Sequence, residues 1–216
     1  MANGRLLIGN RRYSSWSLRG WLAVRLAELD VTDEVIPMSE GTTPAIKDGT
    51  PAGLVPYLEH DGARVWETLA ICEYCAEIAP RLWPQDRLAR AEARSIASEM
   101  HAGFRGLRQA MPMNLGRSFA GSGRTPEALA DIARIETIWG DALQRHGGPY
   151  LFGASFGAAD AMYAPVVARF LTYEPELAGR SAAYVQAVRG HSLVAQWYEL
   201  AAQEPEAWLL QKYERG

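Results

Sequence analysis

Cysteine is scarce in this chain, with two in 216 residues. That is too few for a disulfide framework, so stability has to come from a buried core. Long apolar runs are missing as well, and nothing approaches the ~20 consecutive apolar residues that a membrane span needs. The opening Met-Ala-Asn-Gly-Arg-Leu-Leu-Ile-Gly-Asn has an apolar centre too short for a signal peptide. The expectation is a cytoplasmic protein with no membrane partner. Basic blocks are absent too: 22 basic residues stand against 25 acidic ones, for a net charge of −3. A clustered Lys/Arg face is the electrostatic footprint of nucleic-acid binding, so no nucleic-acid partner is expected. What remains is an ordinary globular profile, 48% hydrophobic and 22% charged, long enough for one large domain or two small ones. Its one excess is aromatic, with seven tryptophans among 216 residues; some belong to a core, others to a cleft or subunit interface.

Hydrophobic periodicity divides the chain. Leu6 to Gly9 reads as a strand, and Ser17 to Leu29 as a helix on the spacing of Leu18, Trp21, Leu22, Leu26 and Leu29. Val31 to Pro37 is strand-like, and Met38 to Gly53, rich in Gly, Pro, Ser and Thr, reads as a long loop. Val55 to Glu59 and Arg64 to Trp66 flank an Asp61-Gly62 hairpin signal. Leu69 to Ala79 then reads as a helix ended by Pro80. The order is βαβ, loop, ββα over residues 1–80. Residues 81–87 read as a linker, and everything from 88 to 216 as helical. One long amphipathic helix is predicted from Leu88 to Met111, carrying Ile96, Met100, Phe104 and Leu107 on one face. Thr125-Pro126 opens another helix running to about Arg145, followed by three more near 158–171, 181–190 and 192–203.

Four local features stand out. Ser14, Ser15 and Ser17 crowd the start of the first helix, where one caps it and where N–H groups favour a negative charge such as a thiolate. Val55-Pro56 precedes a strand, an edge-strand start or a cis bond. Glu67-Thr68 precedes the Leu69 helix, with Thr68 as a cap whose free N–H groups suit a carboxylate and Glu67 suited to an ammonium. Asp160 follows Gly157 by three residues, the spacing of a reach-back to a helix start, and reads as structural.

In order and spacing these features resemble the glutathione transferase family over essentially the whole chain. The resemblance rests on Ser14-Ser15, Leu54-Val55-Pro56-Tyr57-Leu58, Glu67-Thr68 with Ala70-Ile71, and Gly157 to Asp160. Tyr13 to Arg19 is most similar to the serine signature of the zeta class, whose members isomerise maleylacetoacetate or conjugate small haloacids. Ser98 to Phe104 is similar to a stretch of bacterial members. The resemblance implies an α/β N-terminal thioredoxin-like domain plus an all-α C-terminal helical bundle, a homodimer, and glutathione as co-substrate with no metal. It further implies that Val55 pairs with the cysteinyl backbone of glutathione, that Pro56 is cis, that Glu67 and Thr68 hold the γ-glutamyl end, and that Lys47 reaches the glycyl carboxylate. Ser14 or Ser15 would face the sulfur, with Ser14 the first choice. The electrophile would lie against Trp16, His101, Phe104, Met111, Met113 and Arg169. Two departures are visible: Trp16 stands where the zeta signature has Cys, and Gly157 where the family has a Ser or Thr cap.

Two rival readings follow. Cys72-Glu73-Tyr74-Cys75 is a C-x-x-C, the pattern of thiol–disulfide chemistry, but it lies inside a later helix rather than at the first helix start. A non-catalytic glutathione-binding protein on the same fold is the other, against which the complete set of glutathione contacts counts.

Overall fold

The structure is a computed structural model that describes residues 3–41 and 43–215. Four strands, β1 (Gly4–Ile8), β2 (Thr32–Val35), β3 (Tyr57–His60) and β4 (Ala63–Trp66), form a sheet in the order β2-β1-β3-β4. Only β1 and β2 run parallel, joined across helix α1 (Ser15–Leu26), while β3 and β4 form the hairpin that Asp61-Gly62 signalled. Asp61 and Gly62 both take positive φ there, as a tight turn between twisted strands requires. Helix α3 (Thr68–Ile78) packs beside α1, and both cover the sheet. The expected βαβ-ββα order is therefore present, with one addition. Within the 38–53 loop, Pro44–Gly49 forms a short helix, α2, that hydrophobic periodicity over six residues is too brief to reveal.

The helical half begins after a 3₁₀ turn at Pro80–Leu82, where Asp86 accepts from the N–H groups of Leu88 and Ala89 at 3.0 and 2.8 Å to cap the next helix. Here one expectation fails. The predicted single helix from Leu88 to Met111 is two: α4 (Arg87–Ala102) and α5 (Arg105–Ala110), separated by Gly103 and by Phe104 in the left-handed region at φ 59°. The cause lies in tertiary contact. Asp131 Oδ2 accepts from Leu107 N at 2.9 Å and so caps α5 from another helix. Gly106 lets that helix approach, since a Cβ there would lie 2.6 Å from the Glu127 backbone.

Helix α6 (Pro126–His146), capped by Thr125 and ended at Gly147 with φ 74°, presents Trp139 to Tyr163, Phe170 and Tyr184. Helix α7 (Ala158–Tyr173) is buried almost all round, between α1, α4 and the following α8 (Gly179–Gly190). Its start is held by Asp160, which accepts from Gly157 N at 2.9 Å, Leu151 N at 3.0 Å and Tyr184 Oη at 3.0 Å. Burial pushes this carboxyl up to about 6. Helix α9 (Ser192–Ala202) returns to the first half, where Trp197 meets Trp21 with ring centroids 5.3 Å apart.

Gly157, one of the two departures from the resemblance, has a packing cause. A Cβ at this position would sit 2.9 Å from the Leu82 carbonyl oxygen, so the 3₁₀ turn leaves no room for the side chain of a Ser or Thr cap.

Candidate active site

The seam between the halves holds two adjoining clefts. One, of about 310 Å³, is lined by residues that include Trp16, Val55, Pro56, Glu67, Thr68 and His101. The other, of about 600 Å³, is lined by residues that include Ser14, Trp16, Lys47 and Val55. Residues far apart in the chain thus converge, and the elements that carry them explain how. The Val55-Pro56 peptide is cis, leading directly into β3. Gly20 of α1 leaves room for the Pro56 ring: a Cβ there would lie 2.6 Å from it.

Glu67 takes φ 67°, a left-handed conformation that costs a non-glycine residue on the order of 1 to 3 kcal/mol and recurs at ligand-binding sites. It opens α3, whose first N–H groups receive no side-chain cap. The dipole and donors of that helix start therefore face the smaller cleft, a disposition suited to a carboxylate.

At the first helix start the three serines separate into different roles. Ser14 is the cap: its Oγ accepts from Ser17 N at 3.3 Å and donates to Ser17 Oγ at 2.7 Å. Ser17, fully buried, accepts in turn from Gly9 N at 3.0 Å. Ser15 points elsewhere and accepts from Arg169 Nη2 at 3.4 Å. Of the two candidate catalytic serines, Ser14 lines the larger cleft and Ser15 lines neither. Ser17 belongs to the site although its residue type alone had made it only one of three capping options.

The helical half contributes unevenly. His101, expected beside the electrophile, lies against Thr68 and Glu67: its Nδ1 is 3.3 Å from Thr68 Oγ1 and its Nε2 is 3.6 Å from Glu67 Oε2. Burial lowers its pKa against the pull of Glu67, with Arg19 and Arg108 acting in the same direction as burial. Phe104, Met111 and Met113 are buried in the core and line neither cleft. Apolar side chains at helical spacing look the same in sequence whether they face a core or a pocket, and here they face the core.

Arg169 is 5% exposed and does reach the seam, where two arginines that sequence reasoning missed join it. Arg19, fully buried, donates to Met162 O at 2.8 Å and lies 4.6 Å from the centroid of the Trp16 ring. Arg108 lies 4.5 Å from the same ring and donates to the carbonyls of Met100 and His101. Trp16 is therefore held by two cations at once, a stabilising arrangement for an indole. Buried guanidinium atoms remain without hydrogen-bond partners in all three: Arg19 Nη2, Arg108 Nε and Arg169 Nε. Burial lowers all three, and repulsion from neighbouring arginines adds to it for Arg19, which falls well below its ordinary value, and for Arg169, which falls to about 10, while Asp131 partly offsets the effect of burial on Arg108. Such a cluster favours a bound anion.

The cysteines do not take part. Cys72 and Cys75 are buried within α3, and burial pushes both thiols up, Cys75 to about 12. A redox pair needs an accessible thiol of lowered pKa.

A family model for the glutathione S-transferase N-terminal domain matches residues 13–78, and one for the C-terminal domain matches residues 90–200. The chain belongs to the glutathione S-transferase family. Among individual members, it is 28% identical over 174 residues to a probable maleylacetoacetate isomerase of Caenorhabditis elegans, covering 77% of this chain and 79% of that one. It is 29% identical over 180 residues to the maleylacetoacetate isomerase of Rattus norvegicus, covering 77% and 78%. A maleylacetoacetate isomerase from Anaeromyxobacter dehalogenans, solved with glutathione in its active site, superimposes with a TM-score of 0.66 at 21% identity over 95% of this chain and 98% of that one. A Burkholderia glutathione transferase homologue with bound glutathione gives 0.69 at 20% identity, over 93% and 99%. In this glutathione transferase the sheet and the α1 and α3 helix starts frame the clefts, and Arg19 and Arg108 lie behind them against the Trp16 ring.

Proposed function

We propose that the protein is a glutathione-dependent transferase or isomerase acting on a small, negatively charged electrophile, as a homodimer in the cytoplasm. The observation that carries this is the convergence of Ser14, Val55-Pro56, Glu67-Thr68 and Lys47 on adjoining clefts that share Trp16, the ring against which Arg19 and Arg108 lie. The free thiol of glutathione, with a pKa of about 8.5, is mostly protonated at neutral pH, and only the thiolate is an effective nucleophile. Ser14 lowers that pKa by donating to the sulfur. Hydroxyl protons rotate, so with a thiolate in the cleft the Ser14–Ser17 bond reverses: Ser17, already accepting from Gly9 N, donates to Ser14 Oγ, and the Ser14 proton turns outward. Ser17 is in this sense a positioning residue.

Val55 supplies the backbone contact for the cysteinyl unit beside cis-Pro56, Glu67 and Thr68 take the γ-glutamyl ammonium and carboxylate, and Lys47 takes the glycyl carboxylate. The thiolate forms a C–S bond to the electrophile. In transfer the leaving group departs with the electron pair of its bond; in isomerisation the C–S bond breaks again after rotation about the former double bond. Trp16 and Arg169, with Arg108, support a substrate carboxylate. The maleylacetoacetate isomerases it resembles make that reaction the first to assay.

Glutathione titration followed by quenching of Trp16 and Trp66 fluorescence, then turnover of maleylacetoacetate analogues, haloacids and chloronitrobenzene, tests the reading. Absence of glutathione binding refutes it. Binding without turnover of any electrophile favours the non-catalytic alternative, and turnover of mixed disulfides alone favours a glutathione-dependent thiol reductase, the thiol–disulfide rival.

A further inference from the structure

Of 22 basic residues only Lys47 and Lys212 are lysines, and both line the same 600 Å³ cleft as Ser14. They lie 165 positions apart in the chain. Among the described residues every ion pair uses an arginine or a histidine; neither lysine has a carboxylate within 4.0 Å. Lysine is a flexible point charge, suited to a carboxylate that does not demand the paired geometry of arginine.

Lys212 reaches the cleft because the segment after α9 is fastened there on both sides of it. Upstream, Asn10 Nδ2 donates to Trp208 O at 3.1 Å and Leu210 N donates to Tyr13 Oη at 3.4 Å. Downstream, the Glu214 side chain, 6% exposed, accepts from Tyr13 Oη at 2.6 Å, Arg117 Nε at 2.7 Å and Asn114 Nδ2 at 3.0 Å. Burial works against the Glu214 charge, yet these bonds hold its pKa below the usual carboxylate range. Lys212 itself donates its backbone N–H to Glu40 Oε1 at 3.1 Å, and its Nζ lies 4.7 Å from the Tyr213 ring centroid. The anchor Tyr13 is the neighbour of Ser14, so the strap and the thiol-facing serine share one turn of chain.

We propose that Lys212 is a second cationic contact for the glycyl carboxylate of glutathione, in addition to Lys47, and that the strap of residues 206–215 forms one wall of the glutathione site. This rests on the cleft being a glutathione site. The test compares binding of glutathione and of γ-glutamylcysteine, which lacks the glycyl unit and its carboxylate, by tryptophan quenching. Lys212→Met, a change at an exposed position, is expected to weaken glutathione about fivefold, the scale of an exposed ion pair, and to leave γ-glutamylcysteine within twofold. Lys212→Arg is expected to restore most of the preference for glutathione. Wild-type affinity of Lys212→Met for both peptides overturns the inference while the glutathione reading stands, and so does equal weakening of both. If the unaltered protein binds neither peptide, the glutathione reading itself fails and the inference with it.

Discussion

Replacing Ser14 by alanine separates chemistry from architecture. In the proposed glutathione site the mutation removes one hydroxyl donor to the bound sulfur. A hydrogen bond to a charged group is worth a net ~1.5 to 3 kcal/mol, and one pKa unit is ~1.4 kcal/mol, so the thiol of bound glutathione is expected to titrate about one to two units higher. At pH 6.5 the thiolate fraction, and with it kcat/KM, is expected to fall ~10- to 100-fold. Above the pKa of the free thiol the gap closes, because the sulfur ionises unaided. The structural cost is separate and smaller: Ser14 Oγ also accepts from Ser17 N at 3.3 Å, and loss of a helix cap costs about 1 kcal/mol, or ~2 to 4 °C in Tm for a chain of this size. Ultraviolet absorbance of the thiolate, followed against pH in the enzyme–glutathione complex, reads the pKa directly. Ser15→Ala serves as the control, since the Ser15 hydroxyl meets Arg169 instead. A bound thiol that titrates identically in Ser14→Ala and wild type, or that shifts only in Ser15→Ala, refutes the assignment.

Three further outcomes are expected. Gly157→Ser, which installs the family's usual hydroxyl cap, should lower Tm rather than raise it, because its Cβ meets the Leu82 carbonyl at 2.9 Å; a stabilised variant in a thermal melt would contradict the packing argument. Asp160, pushed up to about 6 by burial, binds a proton in the folded state that the unfolded chain releases near pH 4, so its contribution falls as pH rises from 4 to 6 and is level above that. The difference is about 3 kcal/mol, and urea titrations of Asp160→Asn should lack this part of the pH dependence, against a lower overall stability from the broken cap. Cys72 and Cys75 should not react with a chromogenic disulfide reagent at pH 8 in the native protein and should both react in guanidinium; native reactivity would reopen thiol–disulfide chemistry.

How far the fold was legible in sequence depended on the range of the forces involved. The strands, the hairpin at Asp61-Gly62 and helices α1, α3 and α6 follow from local spacing and turn chemistry, and the structure reproduces them within a few residues. The break at Phe104 was hidden because Met100, Phe104, Leu107 and Met111 keep helical spacing straight through it; what enforces it is Asp131, 24 positions away from Leu107. The glutathione residues proposed from motif are all local to strand or helix starts, where short sequence patterns carry backbone geometry. Arg19 and Arg108 left no such trace, for arginine on a helix ordinarily signals solvent. Their meaning comes only from the burial that α7 and the Trp16 ring impose. Lys212 was silent for the same reason, placed by side chains at positions 10, 13, 114 and 117.

Arg19 and Arg169, which are buried, and Arg108, which is partly buried, alter what the net charge of −3 means. Set them aside as interior, and the rest of the chain carries six more acidic than basic residues. The molecule thus carries an acidic excess outside a basic seam, and an anion meets repulsion at long range except at the larger cleft, where the exposed Lys47 and Lys212 attract it. Salt acts on the two differently, screening the exposed shell within a Debye length of about 8 Å at physiological strength while leaving the seam largely untouched. Arrival of an anionic substrate therefore quickens as ionic strength rises, the reverse of ordinary electrostatic steering, and the gatekeeping is done by charges that never touch the ligand.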